Sequence, residues 1–369
     1  MVAKAADWSA LDDLLLVEIG HWIVLYTDFA AFRRVCTSWR SAVPEQNFKL
    51  RMPWLLLPPK ICSDLRNFVI PPQGVTRRTL LPEANGKMYF SSKGWLITIA
   101  QDLSINLLHP FSRYQIKLPH IKSFDNWRSL DMSAKTYVFF IQKVVLSSDP
   151  LLTSNSIVMV IHGDRGVLAY SKPGDKTWTT INTWRGKYFD ITYYEERFYA
   201  INSHGKIMVC DVRGNNPTIA QEVANMPYNI PRWEKAYIVE SSGRLLVVTR
   251  DGVALRPIKK WSSQTTYGNY GFKVYEVDLS TNNWTRIKDL GNTTLFLGHN
   301  SSMSIESDGV YAKPNKIYFT DDCVEAYWFK KKGGGKDMGI YNIEDGSIEP
   351  YLLEDSRNRL TPPMWVEQS

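Results

Sequence analysis

Two hydrophobic periods divide this chain near residue 50. Before it, apolar residues recur at helical spacing. Leu11, Leu15, Ile19, Trp22 and Tyr26 stand 4, 4, 3 and 4 apart and predict one helix face. Ser9, or Asp12 further on, is placed to cap that helix. A second helix is predicted from an Asp28 cap through Phe29, Phe32, Val35, Cys36 and Trp39, with Arg33, Arg34 and Arg40 toward its other side. Pro44 ends the pattern. A helical unit this small cannot bury its apolar residues well by itself. Its remaining apolar surface needs either the rest of the chain or another protein.

Beyond about Pro53 the period changes to two. Trp95, Ile97 and Ile99 alternate with Leu96, Thr98 and Ala100, as in a strand. Residues 157–161 and 245–249 are short apolar runs bounded by turns. Turn pairs recur at Asp164-Arg165-Gly166, Ser242-Gly243, Asp251-Gly252, Asp308-Gly309 and Asp345-Gly346. No long amphipathic helix pattern follows residue 50, so residues 51–369 read as all-β. A weak repeat of strand, turn and strand shows at 105–118, 166–181, 205–223, 272–287 and 338–351. Its copies start about 40 to 65 residues apart, near the length of one four-stranded propeller blade plus loop insertions. Roughly 300 residues then predict a β-propeller of about six blades. Ring closure removes most sheet edges, which favours a propeller over two stacked β-sandwiches, the competing architecture. Kelch and WD signatures are absent. Trp95, Trp178 and Trp284 recur at comparable points of the repeat and read as core. Trp127, Trp184, Trp233 and Trp261 lie in polar or Pro-containing stretches and are the candidates for a substrate-binding face.

Residue identities add a resemblance. Trp8, Leu11, Leu15, Leu16, Glu18 and Ile19 are followed by Asp28, Phe32, Arg33, Val35, Cys36, Ser38, Trp39 and Arg40. The Val-Cys-x-Ser-Trp-Arg run is the specific part. This segment, residues 1–50, resembles an F-box, the helical module that docks an adaptor onto the Skp subunit of a cullin-RING ubiquitin ligase. Asp12 stands where the family usually has a proline, and Leu14 where it usually has an acidic residue. Residues 51–369 are similar to the KIB-type β-propeller of plant F-box proteins. The similarity is carried by Pro53-Trp54-Leu55-Leu56-Leu57-Pro58, Ser91-Ser92-Lys93-Gly94-Trp95-Leu96, Leu107-Leu108-His109-Pro110-Phe111 and Leu118-Pro119, and by 317–322 and 339–346 near the end. The resemblance implies a substrate-recognition adaptor of a Skp-cullin-F-box ligase. Leu11, Leu15, Leu16, Ile19, Phe32, Val35 and Trp39 would bind Skp, and the propeller would recruit an unidentified target protein. The alternative is a binding protein that sequesters its partner without ligase engagement.

Composition narrows the rest. The chain has 369 residues, 44% hydrophobic and 22% charged, as in a soluble globular protein. Residues 14–32 are the most apolar stretch, but Glu18, His21 and Asp28 make it too polar for a membrane span, and no signal peptide is visible. Cys36, Cys62, Cys210 and Cys323 are scattered, which predicts a reducing compartment, cytoplasm or nucleus, and no cysteine metal site. The net charge of +7 is dispersed, so a nucleic-acid partner is not expected. The lysines at 330–332 and Lys336 enclose Gly333-Gly334-Gly335, and this run reads as a solvated loop rather than a phosphate loop. The six histidines are far apart, and neither H-E-x-x-H nor G-x-S-x-G occurs. Asp321-Asp322 and Glu195-Glu196 read as solvated acids, because neighbours in a strand point apart. No enzyme activity, metal or cofactor is expected. A propeller hydrolase with carboxylates converging in space is the third reading.

Overall fold

Apolar spacing finds the N-terminal helices but misses how they break. The structure, a computed structural model, describes residues 7–23, 26–45, 52–58, 63–70, 74–125, 127, 137–183, 186–231, 233–257, 265–268, 270–307, 309, 312–330, 333–350 and 361–368. It divides into two compact units, Met1–Met52 with Gln368–Ser369, and Pro53–Glu367.

In the first unit a short 3-10 turn, Trp8–Ala10, precedes α1 (Asp13–Trp22), α2 (Tyr26–Arg33) and α3 (Thr37–Ala42). Asp12 caps α1, its carboxylate accepting the Leu14 N–H at 2.9 Å. Leu11 therefore precedes the helix and Tyr26 begins the next, so the predicted five-residue face is divided. The predicted second helix is also two. The N–H groups of Arg34 and Val35 reach back three residues to Ala31 and Phe32, which tightens the end of α2. Cys36 is then fully extended and starts α3. Asp28 lies inside the first turn of α2, where its charge complements the helix dipole instead of capping it. The break turns Trp39 back onto Phe32, with ring centroids 4.6 Å apart. Leu16, Phe29, Phe32 and Val43 form the core. Gly20 has no room for a side chain, since a Cβ there would come within 2.9 Å of Val43.

Among the described residues the second unit has six blade sheets and a separate two-stranded sheet, Arg256–Pro257 with Thr265–Thr266. Written from the axis outward, blade 1 is Met88–Ser92, Trp95–Ile99, Ile105–Leu108 and Gln115–Leu118. Blade 2 is Ile141–Leu146, Val158–His162, Val167–Ser171 and Thr179–Thr180. Blade 3 is Tyr188–Tyr194, Arg197–Asn202, Lys206–Cys210 and Ala220–Asn225. Blade 4 is Lys235–Ser241, Arg244–Asp251, Gly271–Asp278 and Asn283–Ile287. Blade 5 has five strands, Met303–Glu306, Thr293–Leu297, Lys316–Phe319, Gly339–Asn342 and Ile348–Pro350. Its second and third strands run parallel, because the chain first crosses to the axis through 298–302 and then returns. Blade 6 joins the two ends of the unit, Met364–Val366 pairing with Trp54–Leu56, then Leu65–Ile70 and Val75–Leu80.

Hydrogen bonds link the innermost strands into a ring. Ser91 Oγ donates to the Trp365 carbonyl, and Ser92 Oγ accepts the Leu146 N–H at 3.0 Å. Lys143 pairs with Asp190 at 2.8 Å, and Asp190 accepts the Ile238 N–H at 3.1 Å. Ser304 Oγ donates to the Glu240 carbonyl at 2.9 Å, and the Trp365 N–H returns to Asn300 Oδ1 at 3.4 Å. The fold is a six-bladed β-propeller, which sets aside the stacked sandwiches. The five sequence repeats are the outer hairpins of blades 1 to 5. The sixth, in blade 6, escaped because its last strand carries Arg77 and Arg78 at 77–78 of a weakly apolar run. Burial explains why inner strands do not alternate. Met88–Ser92 and Trp95–Ile99 are buried throughout, since neighbouring blades cover both faces, whereas Ile348–Pro350 is exposed throughout. Trp95 and Trp178 are core, as expected, while Trp284 is half-buried against the core shared by blades 3 and 4.

Candidate functional site

Each unit offers one surface worth describing. On the helical unit, Leu14, Leu15, Ile19 and Val35 are 80%, 55%, 41% and 56% exposed. With Trp8, 65% exposed, they are the large apolar residues that the small core leaves outside among the described residues. Leu16 and Phe32, expected at an interface, are core residues of the unit and cannot present a surface without unfolding it. Leu11 and Trp39 are half-buried against that core. Trp39 Nε1 also donates to the Trp8 carbonyl at 2.9 Å, so this indole ties α3 to the first turn. Leu15, Ile19 and Val35 remain as exposed members of the predicted set.

Asp321 and Asp322, expected as solvated acids, instead belong to a buried charge network. Asp321 is fully buried, and the Gly333–Lys336 run wraps it. Its carboxylate accepts the N–H of Gly335 at 2.7 Å, of Lys336 at 2.9 Å and of Cys323 at 2.9 Å, and the Tyr267 hydroxyl at 2.6 Å. The glycines are buried because a carboxylate from the same chain fills the concave backbone a phosphate would otherwise suit. Burial raises the Asp321 carboxyl above its ordinary value, and these donors pull the other way.

Asp322 faces the axis beside it. It accepts the Tyr237 hydroxyl at 2.6 Å, with Lys235 at 3.8 Å and His299 at 3.7 Å. Burial opposes its charge, but Lys235, His299, Arg250 and Lys143 together hold it below the ordinary carboxylate value. Burial, with Lys235 and Lys143 nearby, lowers His299 to about 4, against the pull of Asp322. Arg250, fully buried between Phe319 and Phe272, donates to Asp337 at 2.9 Å, to the Thr320 carbonyl at 2.9 Å and to Tyr237 at 3.1 Å. These carboxylates converge in space, as a hydrolase would need, yet each is already engaged by donors from the same chain. Among the described residues no group of three or more His, Cys, Asp or Glu could hold a metal ion. No described helix is long and apolar enough to cross a membrane.

The predicted tryptophan face divides. Trp127 and Trp233 are half-buried and pack against the cores between blades 1 and 2 and between blades 3 and 4. Their rings pack on those cores and remain partly exposed. Trp184 and Trp261 lie outside the described residues. What sequence reasoning missed is at the opposite end, where the innermost strands finish. There a pit of about 90 Å³ opens on the axis, lined by Ser92, Leu146, Thr192, Glu240, Ser301 and Glu367 among others. The blade register is what brings these residues together, and no local motif marks them. The exposed pair Glu195-Glu196 forms a hairpin turn at the same end, as the solvated reading had it.

A family model described as the KIB1-4 beta-propeller matches residues 68–342. The chain is similar to F-box protein SKIP23 of Arabidopsis thaliana, 24% identical over 98% of this chain and 95% of that protein. It is similar also to F-box protein At4g35733 of Arabidopsis thaliana, 25% identical over 98% of this chain and all of that protein. Among solved structures, TolB from Acinetobacter baumannii aligns with a TM-score of 0.44 and 10% identity over 86% of this chain and 66% of that one.

Proposed function

The chain belongs to the KIB1-4 β-propeller family, and from that premise we propose that it is the substrate-recognition adaptor of a Skp-cullin-F-box ubiquitin ligase. The observation that carries the reading is the helical unit with Leu14, Leu15, Ile19 and Val35 exposed. Relatives named F-box proteins match nearly the whole chain, that unit included. In this reading the helical unit is the F-box. Burial of these side chains in an apolar groove of Skp supplies the docking energy, at roughly 1.5–3 kcal/mol for a fully buried Leu or Ile. The Asp12 departure supports α1, because its carboxylate performs the capping that starts the helix. Leu14 adds exposed apolar area beside Leu15. The propeller holds a target protein near the ubiquitin-loaded enzyme and raises its effective concentration. The adaptor performs no bond chemistry and acts in the cytoplasm or nucleus, where Cys36, Cys210 and Cys323 stay reduced as free thiols.

Capture of a Skp subunit by the purified full chain tests this. Leu15→Ala with Ile19→Ala removes exposed side chains and spares the core. The double variant is expected to keep its melting temperature and to lose Skp binding by about tenfold or more, a typical hot-spot loss. A chain that captures no Skp, or a double variant that captures it as well as the parent, overturns the ligase reading and leaves a sequestering binder. Trp39→Ala is a poor probe, since that indole holds α3 in place.

A further inference from the structure

We propose that the axial pit is a cation-reading pocket for a lysine or arginine side chain of the recruited protein. This rests on the adaptor reading and names the chemistry of its target. Each blade, or the crossing that feeds it, places a residue on the pit: Ser92, Leu146, Thr192, Glu240, Ser301 and Glu367. Ser302, also in the lining, donates its Oγ to Asp190 at 2.5 Å, and Asp190 pairs with Lys143 at 2.8 Å, so the lining is joined to the charge network.

Size and polarity choose the ligand. Sites for metabolites usually measure roughly 300–1,000 Å³. A space of about 90 Å³ admits the tip of one side chain. Its lining residues include three with hydroxyls, Ser92, Thr192 and Ser301, and two with carboxylates, Glu240 and Glu367. Lys93 is the single cation in the lining, and it is exposed at the rim. Glu240 accepts the Gly243 N–H at 2.8 Å. The Glu367 carboxylate has no hydrogen-bond or ion-pair partner among the described residues. An acidic tip would meet two carboxylates. An apolar tip would strip water from the hydroxyls and replace none of its hydrogen bonds. An ammonium or guanidinium answers both, with charge for the carboxylates and several N–H donors for the hydroxyls. A divalent ion fits less well, since a third carboxylate or histidine is lacking among the described residues.

The test uses the full chain, with and without a Skp subunit, against a positional library of fluorescent hexapeptides read by anisotropy. Lysine or arginine is expected to be selected at one position, and acetyl-lysine there to bind about tenfold more weakly. Glu240→Gln and Glu367→Gln, nearly isosteric changes, should each weaken the lysine peptide about fivefold, while Lys93→Glu should strengthen it. Unchanged melting temperatures establish that these variants fold. A flat library, a preference for acidic or apolar residues, or carboxamide variants that bind like the parent each overturn the pocket. Skp capture on the same preparations separates the two readings. Loss of Skp capture with the basic preference intact overturns the adaptor and not the pocket. The reverse result overturns the pocket and leaves the adaptor.

Discussion

His162 is held neutral by its surroundings. It is 1% exposed, its ring centroid lies 4.2 Å from that of Phe124 and 5.4 Å from that of Phe140, and neither ring nitrogen has a partner among the described residues. Burial lowers it from 6.5 to about 4, against a pull upward from Asp125. Between these values the unfolded chain binds a proton that the folded chain refuses. Its contribution is therefore whole above pH 6.5 and is lost as pH falls toward 4, by up to about 3 kcal/mol. His299, lowered for similar reasons, acts in the same direction. The melting temperature of the full chain is expected to drop between pH 6.5 and 4.5, and His162→Phe to make the drop shallower. An equally steep drop in the variant would show that His162 is not responsible. None of this is readable from residue type, since a histidine looks the same in sequence whether it faces water or two phenylalanines.

Three hairpins join the first and second strands of blades 1, 3 and 4 by two-residue turns, Lys93-Gly94, Glu195-Glu196 and Ser242-Gly243. Both residues of each turn have positive φ, from 45° to 78°. That is the left-handed region which matches the twist of the strands and which glycine or asparagine enters at least cost. Glu195-Glu196 enters it with two side chains that carry a Cβ, a cost of about 1–2 kcal/mol per residue. Replacing the pair by Asn-Gly is expected to raise stability by about 1–2 kcal/mol, measured as a rise in the denaturation midpoint at unchanged slope. A lowered midpoint would mean that the carboxylates make folded-state interactions worth more than the strain. The same hairpins show what the sequence made legible at this level. Ser242-Gly243 announced its turn, and the repeats located the outer hairpins of five blades. Glu195-Glu196 was placed correctly in solvent, but its conformation is imposed by strand twist. The break at Cys36 was illegible because apolar spacing continues straight through it. Asp321-Asp322 and the glycine run were assigned to solvent by polarity, whereas their hydrogen-bond partners, Tyr267 and Tyr237, come from distant parts of the chain.

For the molecule as a whole, closure decides stability. The helical unit followed by a ring of about six blades was legible from the change of period and the length of the repeat. The pit was not, because its residues meet only once all six innermost strands are in register. Ring closure depends on Met364–Val366, where Trp365 is fully buried and opposes Leu55. A chain ending after Pro363 would leave Trp54–Leu56 as an open edge and a hole the size of an indole. Such a chain is expected to lose its cooperative melt and to aggregate. One that melts in a single transition at the parental temperature would show that the ring does not need this strand.

That closing strand also sets an order of events during synthesis. Blades 1 to 5 emerge from the ribosome complete, each able to pair its own strands as the chain lengthens. Blade 6 cannot follow them, because three of its strands are among the first of the propeller to be made and the fourth is the last. Until then Trp54–Leu56 waits with one edge unsatisfied, the stage at which chaperone protection matters most. A message cut short before Trp365 therefore yields a chain with every outer hairpin in place and no closed ring. Such a chain is a substrate for the cell's protein disposal rather than a weakened form of the closed propeller.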